Sequence, residues 1–88
     1  MFDWDEANID HIALHDVEPE EAEAALTDPR RIPGPVQRGP EPRKAVIGAT
    51  NGGRVLFVVY TVRQGRARVV TAREAVTWQL TRYKERGK

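Results

Sequence analysis

Ile9, Ile12 and Ala13 recur on one side of a 3.6-residue repeat, Ala7 and Leu14 flank them, and the intervening positions are mostly polar or acidic. Spacing of this kind predicts an amphipathic helix. Asp3 or Asp5 can cap it and Glu6 adds negative charge at its positive end, so the helix should run through about His15. A second helix restarts at Pro19, because proline is tolerated at the first helical position. Glu20, Glu21 and Glu23 fill its first turn, Ala22, Ala25 and Leu26 form its buried side, and Thr27-Asp28-Pro29 ends it. Residues 31–42 then hold Pro33, Pro35, Pro40 and Pro42 with two glycines. That composition permits an extended edge segment or a loop but no central strand.

The period changes after Pro42. Residues 43–50, 54–62 and 66–73 read as strands, separated by Asn51-Gly52-Gly53 and Gln64-Gly65, which supply residues that accept positive φ in hairpin turns. In the middle strand, Val55-Leu56-Phe57-Val58-Val59-Tyr60 is apolar at both parities, which predicts a central strand covered on both faces. Its neighbours alternate. A last helix over residues 74–86 can turn Ala75, Val76, Leu80 and Tyr83 toward the sheet, leaving Trp78 or Gln79 off that stripe. The pattern predicts one α+β domain over residues 1–88. In it, two N-terminal helices pack on one face of an antiparallel sheet, and a C-terminal helix closes the fold.

Composition narrows the class. With 88 residues there is room for one modest core and no separate cofactor domain. No cysteine is present, so neither a disulfide framework nor a thiolate metal site is available. The first residues lack the basic and apolar regions of a secretory leader, and no apolar run approaches a membrane span, so a soluble cytoplasmic protein is expected. Charge is divided sharply along the chain. Residues 1–29 carry ten Asp/Glu and no Lys/Arg, whereas residues 30–88 carry three Asp/Glu and fourteen Lys/Arg.

Strand register decides where those basic groups gather. A two-residue turn at Gln64-Gly65 pairs Arg63 with Arg66, Thr61 with Arg68 and Val59 with Val70; a three-residue loop at the other hairpin pairs Thr50 with Arg54 and brings Arg43 opposite Thr61. Arg43, Thr61 and Arg68 then form a row across three strands, with Arg63 and Arg66 just beyond. Clustered guanidinium groups suit a phosphate or a carboxylate, which makes RNA the first substrate class to consider. Two other readings of the same charges are open. The acidic helices can neutralise the basic sheet internally, or the basic face can bind an acidic protein partner.

Of the two histidines, His11 and His15 stand four apart, a spacing that can share a metal. The chain supplies no cysteine and no third histidine, so no metal site is expected. A histidine beside a phosphate-binding arginine cluster can transfer protons near neutral pH. His15 is the candidate for that role, against a plain reading as a helix C-terminal cap; His11 reads first as a helix-surface residue. No nucleophile motif, P-loop or dinucleotide fingerprint occurs, and no cofactor is expected.

Ordered short motifs add to this. Phe2-Asp3-Trp4-Asp5, His15-Asp16-Val17, Glu20-Glu21-Ala22 and Asp28-Pro29 are followed by Ile47-Gly48, Gly53-Arg54-Val55-Leu56, Val58-Val59-Tyr60-Thr61 with Arg63, and Arg68-Val69-Val70-Thr71-Ala72-Arg73 with Ala75, ending near Tyr83. In this order they resemble the BrnT family of toxins over nearly the whole chain. The resemblance implies a RelE-like fold and a metal-independent endoribonuclease that stops growth by cleaving RNA. It also implies a ribbon-helix-helix, BrnA-like antitoxin as partner, with assembly as a homodimer or a toxin–antitoxin heterotetramer. Cleavage would proceed by attack of a ribose 2′-hydroxyl on the adjacent phosphodiester. In that scheme Arg43 and Arg68 stabilise the phosphate, and Arg73 is carried over from the Ala-Arg motif. His15 is the acid or base, with Tyr60 or Lys44 a weaker substitute, while Lys44, Arg54, Arg63 and Arg66 contact flanking RNA. Two places depart from the family pattern. Leu14-His15-Asp16 stands where Lys-His-Gly is common, and Gln79-Leu80 where Glu-Arg is usual, so a non-catalytic RNA- or protein-binding module of the same fold is the alternative reading.

Overall fold

Asp5 starts the first helix, α1 (Glu6–Ala13), with a reciprocal capping box. Its carboxylate accepts from the Asn8 backbone N–H, and the Asn8 side-chain oxygen accepts from the Asp5 N–H. The Asn8 amide also donates to the carbonyls of Asp3 and Val69, so this buried polar side chain is satisfied and ties α1 to the sheet. These positions come from a computed structural model that describes residues 1–35 and 37–85. The helix ends earlier than its apolar spacing suggests. Val17 N–H returns to the Ile12 carbonyl and Asp16 N–H to that of Ala13, with Asp16 at φ 58°, the left-handed termination of a Schellman motif. The second helix, α2 (Pro19–Thr27), begins with Pro19 in its first turn and a Glu21 carboxylate accepting from the Glu18 N–H.

Four strands follow: β1 (Ile32–Pro33), β2 (Lys44–Ala49), β3 (Val55–Arg63) and β4 (Arg66–Glu74), in the order β1-β2-β3-β4 and antiparallel throughout. Among its described residues the proline-rich segment gives the two-residue edge strand β1 and an isolated bridge from Gln37 to Arg43, since proline cannot donate to a ladder. Gln64 and Gly65, at φ 52° and 75°, make the two-residue turn that joins β3 to β4. At the other hairpin Thr50 N–H donates to the Arg54 carbonyl at 2.7 Å, which closes a three-residue loop. The registers Arg63↔Arg66, Thr61↔Arg68, Ala49↔Val55 and Lys44↔Tyr60 therefore agree with the turn lengths read from sequence. One pairing differs. Val59 lies opposite Thr71, not Val70, because a β-bulge intervenes between Val59 and Tyr60. The additional residue in β4 brings Val69 and Ala72, three apart, to the same side of the sheet.

That side carries the core. Ile12 and Val17 from the α1 region and Ala22 and Ala25 from α2 pack with Leu56, Val58, Val69 and Ala72, all at most 2% exposed. Gly48 permits the close approach of α2 to β2: a Cβ there would collide with the Ala25 carbonyl oxygen. Ile47, of opposite parity, lines a small cavity with Ile32, Trp78 and Arg82, so the last helix, α3 (Thr77–Glu85), lies against the other side of the sheet at its β1–β2 end. The stripe expected for this helix is displaced. Gln79 is 2% exposed whereas Val76 is 45% exposed, because Gln79 Oε1 turns back to accept the Val76 N–H and cap the helix. The expected end at Arg86 lies outside the described residues.

Candidate active site

The ladder pairs Thr61 with Arg68 and Lys44 with Tyr60 and ends one residue short of Arg43, whose backbone bridges Gln37. Arg43, Thr61, Arg63 and Arg68 line one open cavity of about 540 Å³, together with Glu41 and with His11 from α1. Thr61 is 1% exposed, and its hydroxyl has no hydrogen-bond partner among the described residues. Of the row predicted from turn lengths, the ladder carries the Thr61–Arg68 pair, and Arg43 joins it as a lining residue of the same cavity.

Carboxylates already hold part of this charge. Arg68 reaches both Asp3, at 3.6 Å, and Asp5, at 3.1 Å, and these contacts raise its pKa while lowering that of Asp5. Arg63 clamps Glu41 with its Nε and Nη2 at 2.9–3.1 Å, which holds the Glu41 carboxyl below the ordinary range. Arg54 bridges Glu21 and the Asp16 carbonyl, with Glu74 farther off at 3.6 Å. The acidic N-terminal third therefore neutralises some of the basic sheet, as the second reading of the charge pattern required. Among the described residues Arg43, Lys44, Arg66 and Arg73 make no ion pair.

The remaining sequence-predicted residues lie elsewhere. Tyr60 and Lys44 share a cavity of about 430 Å³ with Arg31 and Val46, on the side of the sheet that faces α2. Arg73 stacks over Phe57, 5.0 Å from the ring centroid, one half-sheet away from Arg43. Arg66 is exposed at the hairpin tip opposite Arg63. His15 is exposed one turn beyond His11, with the two rings edge-to-face and their centroids 6.1 Å apart. It is His11 that lines the arginine cavity. The apolar stripe of α1 carries no sign of this, because the Asn8 bond that ties the helix to β4 has no signal in spacing. Among the described residues no group of three or more His, Asp or Glu is arranged to hold a metal ion.

A family profile described as the ribonuclease toxin BrnT of a type II toxin-antitoxin system matches residues 4–77. The chain belongs to the BrnT family. Membership makes it a ribonuclease toxin of a type II toxin-antitoxin system and implies an antitoxin partner. No curated protein matches the chain. The BrnT match takes in both N-terminal helices, the whole sheet and the arginine row, and it ends at the first residue of α3. No helix among the described residues is long and apolar enough to cross a membrane.

The two departures from the BrnT pattern acquire physical meaning here. Asp16 sits at the left-handed position that terminates α1, where glycine carries no Cβ penalty, and this accounts for a glycine being common there. Gln79 presents to Val76 the same kind of acceptor oxygen that a glutamate would, so the cap survives the exchange. Leu14, in place of the common lysine, is 79% exposed and removes a cation from the surface beside His15.

Proposed function

We propose that this chain is a metal-independent endoribonuclease that cleaves RNA by attack of a ribose 2′-hydroxyl on the adjacent phosphodiester. The observation that carries this reading is the convergence of Arg43, Arg68 and His11 on one open cavity. The reaction needs a base near the 2′-hydroxyl, positive charge around the pentacoordinate phosphorus and an acid at the leaving 5′-oxygen. Arg43 and Arg68 supply the charge. Arg68 must exchange Asp3 and Asp5 for the phosphate, and Arg43 makes no ion pair to exchange among the described residues. His11 is the proton-transfer group, since it lines the cavity whereas Tyr60 and Lys44 line another and His15 lines neither. Arg63 and Arg66 contact the flanking strand, and their position at the hairpin end sets the direction in which RNA leaves the site. The partner we propose is a ribbon-helix-helix antitoxin.

The test is incubation of the purified protein with mixed-sequence RNA in the presence of EDTA, with Arg43→Ala run beside it. Products ending in 2′,3′-cyclic phosphate, absent with the variant, support both the chemistry and its independence of metal. RNA binding without strand cleavage would favour the non-catalytic module of the same fold.

A further inference from the structure

Within the arginine cavity one buried hydroxyl makes no hydrogen bond to the described residues. Thr61 pairs with Arg68 across β3 and β4, lines the same cavity as Arg43, is 1% exposed, and has no hydrogen-bond partner for its Oγ1 among the described residues. Buried hydroxyls are nearly always paired, because leaving one unpaired carries a desolvation cost that a methyl group of the same shape would avoid. Valine fits this strand position equally well by propensity, and valines occupy much of the rest of β3. An unpaired donor in a cavity lined by Arg43, Arg63 and Arg68 matches an anionic acceptor. The Glu41 carboxylate indicates its charge and position. It is clamped by Arg63, and the nearby Thr61 hydroxyl and Arg43 charge help to lower its pKa, so it stands beside Thr61 Oγ1 without reaching hydrogen-bond geometry with it.

We infer that Thr61 is a phosphate-binding residue: its hydroxyl donates to a non-bridging oxygen of the RNA phosphate that enters between Arg43 and Arg68, and Glu41 occupies the mouth of this subsite until RNA displaces it. The inference rests on the ribonuclease reading above and names a donor in that same site.

A hydrogen bond to a charged acceptor sets the size of the effect. Thr61→Val should weaken binding of a 2′-O-methyl oligoribonucleotide, which cannot undergo 2′-hydroxyl attack, by about tenfold in fluorescence anisotropy. The same variant should hold or raise the melting temperature, since no bond within the protein is lost. Thr61→Ser keeps the donor and should retain most of the affinity. Weaker binding with an unchanged fold, restored by serine, is the expected result. Thr61→Val that binds as wild type overturns the role of Thr61 while leaving the ribonuclease reading in place. A Thr61→Val protein that melts well below wild type shows a structural hydroxyl and overturns it too. Wild-type protein that neither binds the oligonucleotide nor cleaves RNA overturns both.

Discussion

Asp28 joins three parts of the fold through one carboxylate. Its Oδ1 accepts from the Arg30 N–H at 3.0 Å, and its Oδ2 accepts from the Ala49 N–H at 2.8 Å and from the Tyr83 hydroxyl. The end of α2, the end of β2 and the face of α3 are thereby held together. Burial pushes the Asp28 pKa up, but the Tyr83 hydroxyl and the two backbone donors outweigh it and leave the carboxyl below its ordinary value. Burial, with Asp28 as acceptor, raises the pKa of Tyr83. The Arg30 bond is exposed and water can replace it. The other two are partly buried and made to a charged acceptor, each worth about 1.5 kcal/mol at the low end for such bonds. Asp28→Ala should then destabilise the fold by about 3 kcal/mol and Tyr83→Phe by about 1.5 kcal/mol. For a domain of this size those losses lower the melting temperature by roughly 12–24 °C and 6–12 °C. Urea unfolding followed by far-UV circular dichroism measures both, and the double variant should be no less stable than Asp28→Ala alone. Because the folded pKa of Asp28 is depressed, its contribution is present above the ordinary aspartate range and is lost as pH falls through the folded value. Wild type should therefore lose more stability on acidification than Asp28→Asn. Additive losses in the double variant, or a loss under about 0.5 kcal/mol for Asp28→Ala, would refute the account of this junction.

Three other substitutions probe the backbone and the charge arrangement. Asp16→Gly, at the left-handed end of α1, should stabilise the protein by about 0.5–1 kcal/mol in the same urea titration, since the Arg54 contact there is to the backbone carbonyl and survives. Gly48→Ala drives a methyl group into the Ala25 carbonyl and should cost about 3 kcal/mol or more, seen as a large fall in the denaturation midpoint; a midpoint near wild type would mean that α2 sits farther from β2. Glu41→Gln releases Arg63 and should tighten RNA binding by about two- to threefold at low salt, an effect that fades as salt is added.

The meander was legible because its turns announce themselves. Gln64-Gly65 and Asn51-Gly52-Gly53 set loop lengths, loop lengths set register, and register pairs Thr61 with Arg68 and leaves Arg43 as a lining residue of the same cavity. The bulge was not legible, since Val59, Val69, Val70 and Thr71 suit either face of a strand and no glycine marks the additional residue. Gln79 escaped for a related reason. An apolar stripe cannot show that a polar side chain will be buried in order to cap its own helix. The histidines show where periodicity stops being informative. Spacing put His11 and His15 on one helix, but the tilt of α1 over β4, fixed by Asn8 and by the Asp5–Arg68 pair, is a tertiary matter, and it decides which ring reaches the cavity. The charge division was plain in the sequence, whereas its partition into paired and unpaired arginines depended on side-chain reach.

The claim that the arginine cavity performs the chemistry is tested most directly by single-turnover RNA cleavage in EDTA, comparing wild type with His11→Ala and His15→Ala. General acid–base groups contribute about 10²- to 10⁴-fold, so His11→Ala should lose at least about a hundredfold in rate, and His15→Ala should stay within a few-fold of wild type. Full activity in His11→Ala, with the loss falling on His15→Ala instead, would contradict the account and move the reacting phosphate away from the Arg43–Thr61–Arg68 row.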